Sequence, residues 1–184
     1  MSDFHLSVRS LKRTAGAAKP FTLTGCYGTP VATGLIGLPG DREVAVTGDL
    51  EAVGDGVLVR AQASTTLDAQ CARCLTAYSY PVTVPVEELY VYAERDEEYG
   101  DEAAGRITDE AIDLGEAVRD AIILEQPLAP LCEPECRGLC PACGADLNAD
   151  PAHDHGAPPD ARWLGLNEWG KMSGLPTEIS GGQE

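Results

Sequence analysis

The sequence predicts an α+β fold: an antiparallel sheet or partial β-barrel with one main helix and a Cys-rich, zinc-binding C-terminal region. Three observations carry this expectation. Alternating runs rich in β-branched residues, punctuated by glycine turns, fill the chain from Phe21 to about Tyr92. One amphipathic run near 113–126 has helical spacing. Six of the seven cysteines and two of the three histidines gather between Cys71 and His155 at spacings that suit a metal ion.

The elements follow in chain order. Residues 1–20 carry Arg9, Lys12, Arg13 and Lys19 against one acid, Asp3, and read as a basic flexible arm. Residues 21–127 form the antiparallel sheet and its helix. Runs Glu43–Gly48 and Val57–Ala63 alternate on either side of Gly54-Asp55-Gly56, as in a hairpin. A third run extends from Tyr78 through Val86 to Tyr92. Segment 94–110 holds eight acids and two arginines and is expected as a solvated loop. Asp113 and Glu116 have capping-box spacing. Leu114, Val118, Ala121 and Ile122 then recur on one face until Gln126-Pro127 ends the helix. Residues 128–172 make the zinc-binding region, with a short helix at 161–171, and 173–184 a disordered tail.

Composition narrows the function. No run approaches the roughly 20 apolar residues that span a bilayer, and the N-terminus lacks a signal-peptide core, so a soluble cytoplasmic protein is expected. The net charge of −17 argues against a general electrostatic grip on nucleic acid, which needs Lys and Arg. Outside the first 20 residues nine basic side chains face 29 acids, a body suited to basic protein partners. Phosphate-cradling glycine loops, nucleophile elbows and His-Glu-x-x-His pairs are absent from the sequence.

In a reducing compartment these cysteines point to metal rather than disulfides. Cys-x-x-Cys aims two thiolates at one ion, and it occurs twice, at Cys71/Cys74 and Cys140/Cys143, where Gly144 permits the positive φ that closes the turn. Pairing the two motifs gives a four-thiolate site and leaves Cys132, Cys136, His153 and His155 for a second. Eight ligands then fill two tetrahedral sets. Cys132, Cys136, Cys140 and Cys143 alone form another possible site, so the chain is expected to hold one or two zinc ions. A redox role fits poorly, because Cys71 follows one strand-like run and precedes another instead of opening a helix. A four-sulfur site is closed and structural. The two-histidine set leaves room for a water, with Glu133, Glu135 or Asp154 as base, yet the sequence has no deaminase signature. Cys26, isolated in Gly-Cys-Tyr-Gly, reads as a small buried hydrophobe.

Assembled in order, LSVRSLKRTAG (6–16), CARCL (71–75), the acidic gap, IDLGEAVRDAIILEQPLAPLC (112–132), ECRGLCPACGADLN (135–148) and DARWLGL (160–166) resemble the YceD family, named for large-subunit ribosomal RNA accumulation. Ala15 and Ala161 depart from the pattern, the latter where such sequences often have proline. His153 and His155 stand where many relatives have a further cysteine pair, a swap that keeps zinc ligands. The resemblance implies a non-enzymatic role in accumulation or processing of 23S rRNA and in 50S ribosome assembly. Some members lack part of the cysteine set, which separates the metal from whatever the whole family does. In the family resembled, genes also tend to neighbour one for a small protein of the large ribosomal subunit.

The expected partner is therefore a basic ribosomal protein or a precursor of the large subunit, with RNA contact through Arg9, Lys12, Arg13 and Lys19. Arg73 and Arg137, each inside a cysteine motif, are expected in structural pairings. A zinc-dependent RNA hydrolase and a redox or zinc sensor are the competing readings.

Overall fold

Alternation of apolar and polar residues decides the strands, and the two longest carry the rest. The structure, a computed structural model, describes residues 3–92 and 105–156. Strand β6 (Gly56–Gln70) pairs antiparallel with β7 (Ala77–Val91) at every position, from Gly56 opposite Val91 to Gln70 opposite Ala77. Val57, Val59, Ala63, Leu67 and Ala69 of β6 are buried, all on one alternating face. Along its other edge β6 takes two partners in tandem. Strand β5 (Val44–Ala52) covers Val57–Ser64, and β4 (Ile36–Leu38) covers Asp68 and Ala69. Strand β2 (Ala18–Gly25) flanks β5, β3 (Val31–Thr33) flanks β4, and β8 (Gly105–Arg106) runs parallel to β7. Among the described residues β2, β3 and β8 each pair on one side only, so the sheet is open rather than a closed barrel.

The expected hairpin is present, β5–β6 turning at Val53–Asp55. The basic arm is not an arm. Strand β1 (His5–Ser7) pairs antiparallel with β9 (Ala111–Asp113), and Phe4, Val8 and Leu11 join the core. Its cations face outward and three of the four are engaged: Arg9 with Glu110, Arg13 over the Tyr92 ring at 4.3 Å, and Lys19 donating to Ser10 Oγ at 2.6 Å. Apolar burial every three or four residues outweighs the local excess of positive charge.

Helix α1 (Gly115–Leu124) buries Val118 and Ile122. Its N-terminus differs from the expected capping box. Leu114 is the N-cap residue, and Asp113, still in β9, accepts the Gly115 N–H at 2.8 Å. Glu116 pairs instead with Arg119. At the other end Gln126 donates to the Ile122 carbonyl at 2.7 Å, and Tyr80 of β7 donates to Gln126, fixing where the chain leaves the helix. Cys26 is half-buried, its sulfur 3.5 Å from Asp3 Oδ2, rather than enclosed in the core. The acidic loop up to residue 104, the short helix at 161–171 and the tail at 173–184 lie outside the described residues.

The chain divides into two compact units, residues 1–138 and 139–184. The sheet and α1 belong to the first. The described part of the second, residues 139–156, is a run of turns.

Candidate metal centres

The hairpin turn between the two longest strands is itself a cysteine motif. Cys71 N–H donates to Thr76 O at 2.9 Å and Leu75 N–H to Cys71 O at 3.0 Å, which curls Cys71-Ala72-Arg73-Cys74 so that both sulfurs face one way. Beyond α1 the chain returns to this turn. Ala72 N–H donates to Pro130 O at 2.8 Å, and Arg73 donates to Cys136 O at 2.7 Å. Gly138 (φ +77) ends the approach, and a Cβ there would meet Arg73 at 3.0 Å. Arg73 thus has the structural pairing expected of it, with a carbonyl.

Four sulfurs converge as a result. Cys71, Cys74, Cys132 and Cys136 place their Sγ atoms within 4.8 Å of one another. Cys71 and Cys136 are 3.7 Å apart, Cys74 and Cys132 3.6 Å. Zinc–sulfur bonds of about 2.3 Å give a regular tetrahedron edges of about 3.8 Å. Two of the six edges thus match that length, and the four thiols could together hold a tetrahedral, thiophilic ion. Cys71 and Cys136 are buried, and Cys74 and Cys132 partly so.

The second unit repeats the knuckle. Cys140 N–H donates to Ala145 O and Gly144 N–H to Cys140 O, both at 2.8 Å, with Gly144 at φ +76. Leu75 holds the equivalent position in the first knuckle at φ +62, where a side chain is strained. Downstream, Asp146 Oδ1 accepts the Asn148 N–H, and Asp150 N–H donates to Asp146 O. His153 N–H then donates to Asp150 O, and these turns bring two imidazoles back to the knuckle. His153 Nε2 lies 3.2 Å from Cys143 Sγ and 3.0 Å from His155 Nε2. Cys140, Cys143, His153 and His155 form the second group within 4.8 Å. Asp150 Oδ2 sits 4.0 Å from His153 Nδ1, on the side away from the cluster, where a carboxylate steadies a ligating imidazole.

All eight candidate ligands come together, but in pairings that correct both expected groupings. The two Cys-x-x-Cys motifs do not share a site: Cys71/Cys74 meet Cys132/Cys136, and Cys140/Cys143 meet His153/His155. Cys132/Cys136 belong with the hairpin because Pro130 and Cys136 are hydrogen-bonded to it. Sequence reasoning missed Leu75, Thr76 and Asp150. Leu75 was detectable, since it follows the second cysteine where the other knuckle has glycine.

Backbone N–H donors ready the thiols for ligation. The Cys74 N–H above all holds the Cys71 thiol down at about 6, against burial, and the Ala142 and Cys143 N–H groups bring Cys140 down to about 7. Thr76, its hydroxyl 3.3 Å away, lowers the Cys74 thiol. Burial and the neighbouring sulfurs push Cys132 up to about 12. Four thiolates repel without a cation among them, so the pair most easily ionised is the Cys-x-x-Cys pair.

Fold and clusters define a class: an open antiparallel sheet with one helix among the described residues and two Cys/His groups, each able to hold a metal ion. The chain belongs to the YceD family, whose sequence model, described as large ribosomal RNA subunit accumulation protein YceD, matches residues 59–168. Uncharacterized proteins of Mycobacterium tuberculosis and Mycobacterium bovis are 36% identical over 171 residues, covering 91% of this chain and 81% of theirs. A maize protein, large ribosomal RNA subunit accumulation protein YCED homolog 1, chloroplastic, is 50% identical over 40 residues, 22% of this chain and 14% of its own. No solved structure matches the chain.

Proposed function

We propose that this protein is a non-enzymatic factor for large-subunit ribosomal RNA accumulation and 50S assembly, in which two zinc ions hold the cysteine turns in place and an acidic body receives a basic ribosomal protein. The observation that carries the reading is the family match, which spans residues 59–168 and so encloses all eight Cys/His ligands. Zinc is the natural occupant because a set of four thiolates, and one of two thiolates with two imidazoles, suit a borderline-soft d¹⁰ ion at tetrahedral spacing. It would add folding free energy where the segment after α1 has few apolar contacts of its own.

The charge favours protein over RNA as the direct contact. The net charge of −17 repels a phosphate backbone, and Arg9, Arg13 and Lys19 are already engaged within the fold. A factor of this kind acts in the cytoplasm. Among the described residues no helix is long and apolar enough to cross a membrane. A sensor role has one supporting observation, the exposure of Cys143 in the second cluster.

Depletion of the protein tests the reading. Mature large-subunit rRNA should fall and its precursors rise, with the small-subunit rRNA unchanged. Normal rRNA profiles after full depletion would contradict it.

A further inference from the structure

Large apolar side chains left in water call for an explanation when they lie together. Four are exposed among the described residues, and three of them, Leu35, Leu124 and Leu128, line one groove of about 300 Å³ in the sheet-bearing unit. Leu124 is 84% exposed and Leu128 wholly so. Ile36 and Ile123, with Pro127 and Pro130, complete the groove. It lies where the turn between β3 and β4 meets the end of α1 and the segment that follows it.

Leu124 also lines an adjoining cleft of about 280 Å³ between α1 and β7. Four carboxylates border that cleft: Glu87, Glu88, Asp120 and Glu125. Glu87 is paired with Arg60 and Asp120 with Arg119. Glu88 and Glu125 have no cation within ion-pair distance among the described residues. Partial burial, with the charge of Asp120, raises the Glu88 carboxyl above its ordinary value. A like-charged cleft thus opens beside an uncovered leucine surface.

We propose that groove and cleft form one docking surface for a basic protein segment, its apolar side chains seated on Leu35, Leu124 and Leu128 and its Lys or Arg side chains beside Glu88 and Glu125. The inference deepens the reading of a basic protein partner and rests on it. Charge complementarity selects the occupant. Nucleic acid meets four carboxylates and is repelled, and it offers no aliphatic side chains for the leucines. A second copy of this chain, docked through the same face by a two-fold axis, would bring one acidic cleft against another. A segment that carries cations next to aliphatic residues satisfies both halves at once.

The test uses the zinc-loaded full chain and a fluorescent peptide of leucines and lysines in helical amphipathic order, read by anisotropy. Two control peptides replace lysine with glutamate, or leucine with serine. The leucine–lysine peptide should bind saturably at one per chain, and both controls should bind at least about tenfold more weakly, the scale of one lost hot spot. Leu124→Ser with Leu128→Ser, and separately Glu88→Gln with Glu125→Gln, should each weaken binding by about tenfold or more without lowering Tm. Absence of saturable binding overturns the proposal, as does equal binding of the lysine–serine peptide or wild-type affinity in either double variant. A wild-type dimer in sedimentation that the leucine double variant abolishes would give the groove to a second copy and overturn it too. Undiminished capture of purified basic ribosomal proteins by both variants would refute this surface while leaving the functional reading intact. Failure of the wild type to bind any of them, with normal rRNA after depletion, would refute that reading itself.

Discussion

Replacing Leu75 with glycine should leave the protein more stable than replacing it with alanine. Leu75 takes φ +62 because its N–H must reach the Cys71 carbonyl to close the knuckle, a geometry that Gly144 adopts at φ +76 in the other cluster. Holding an L-residue with a side chain in the left-handed region costs about 1–2 kcal/mol. Glycine removes that strain but gives back about 0.5–1 kcal/mol through the greater freedom of the unfolded chain. Leu75 is 53% exposed, so removing it forfeits about 1 kcal/mol of apolar burial, a loss that Leu75→Ala shares. At the midpoints of those ranges glycine exceeds alanine by about 0.75 kcal/mol, which for a chain of this size places its Tm roughly 1.5–3 °C higher. The mirror change, Gly144→Ala, forces a Cβ into the same conformation and should destabilise its cluster by about 1 kcal/mol. Thermal melting followed by circular dichroism, with zinc saturating, measures both. A Leu75→Gly variant that melts at or below Leu75→Ala would refute the claim that the two knuckles share one strained position.

Two further outcomes follow from the same structure. Phe4 is fully buried, so Phe4→Ala should cost about 3–5 kcal/mol in urea unfolding, whereas a free N-terminal arm would tolerate it without change. Acidification should release metal from both clusters, because protons compete with the ion for every thiolate and imidazole. A thiol lowered in the fold contributes stability that is full above its ordinary value of 9.0 and is lost as pH falls through its folded value, about 7 for Cys140 and about 6 for Cys71. A chromogenic chelator on the Cys71→Ser and Cys140→Ser variants reads each remaining site separately, and metal that stays bound in either one well below those values would contradict the assignment.

What the sequence revealed was local. Strands β5, β6 and β7 were legible because apolar residues alternate along them, and α1 because Val118 and Ile122 lie four apart. Both knuckles were legible from the Cys-x-x-Cys spacing. The pairing of knuckles was not, because it depends on where the chain returns after α1, and only the Ala72–Pro130 and Arg73–Cys136 hydrogen bonds decide that. Loop entropy held a partial clue: His153 is ten residues from Cys143, a cheaper closure than the long loop back to Cys74. The N-terminal segment misled because Arg9, Lys12 and Arg13 dominate its composition and conceal Phe4, Val8 and Leu11. The apolar groove has no sequence signature, since Leu35 and Leu128 are 93 positions apart.

Native mass spectrometry of the full chain, purified without chelator, tests the two-cluster account most directly. Two zinc ions per chain are expected, and one in the Cys71→Ser/Cys132→Ser double variant, because both substitutions strike the same cluster. A wild-type chain with no zinc, or a double variant that loses both ions, would contradict the account.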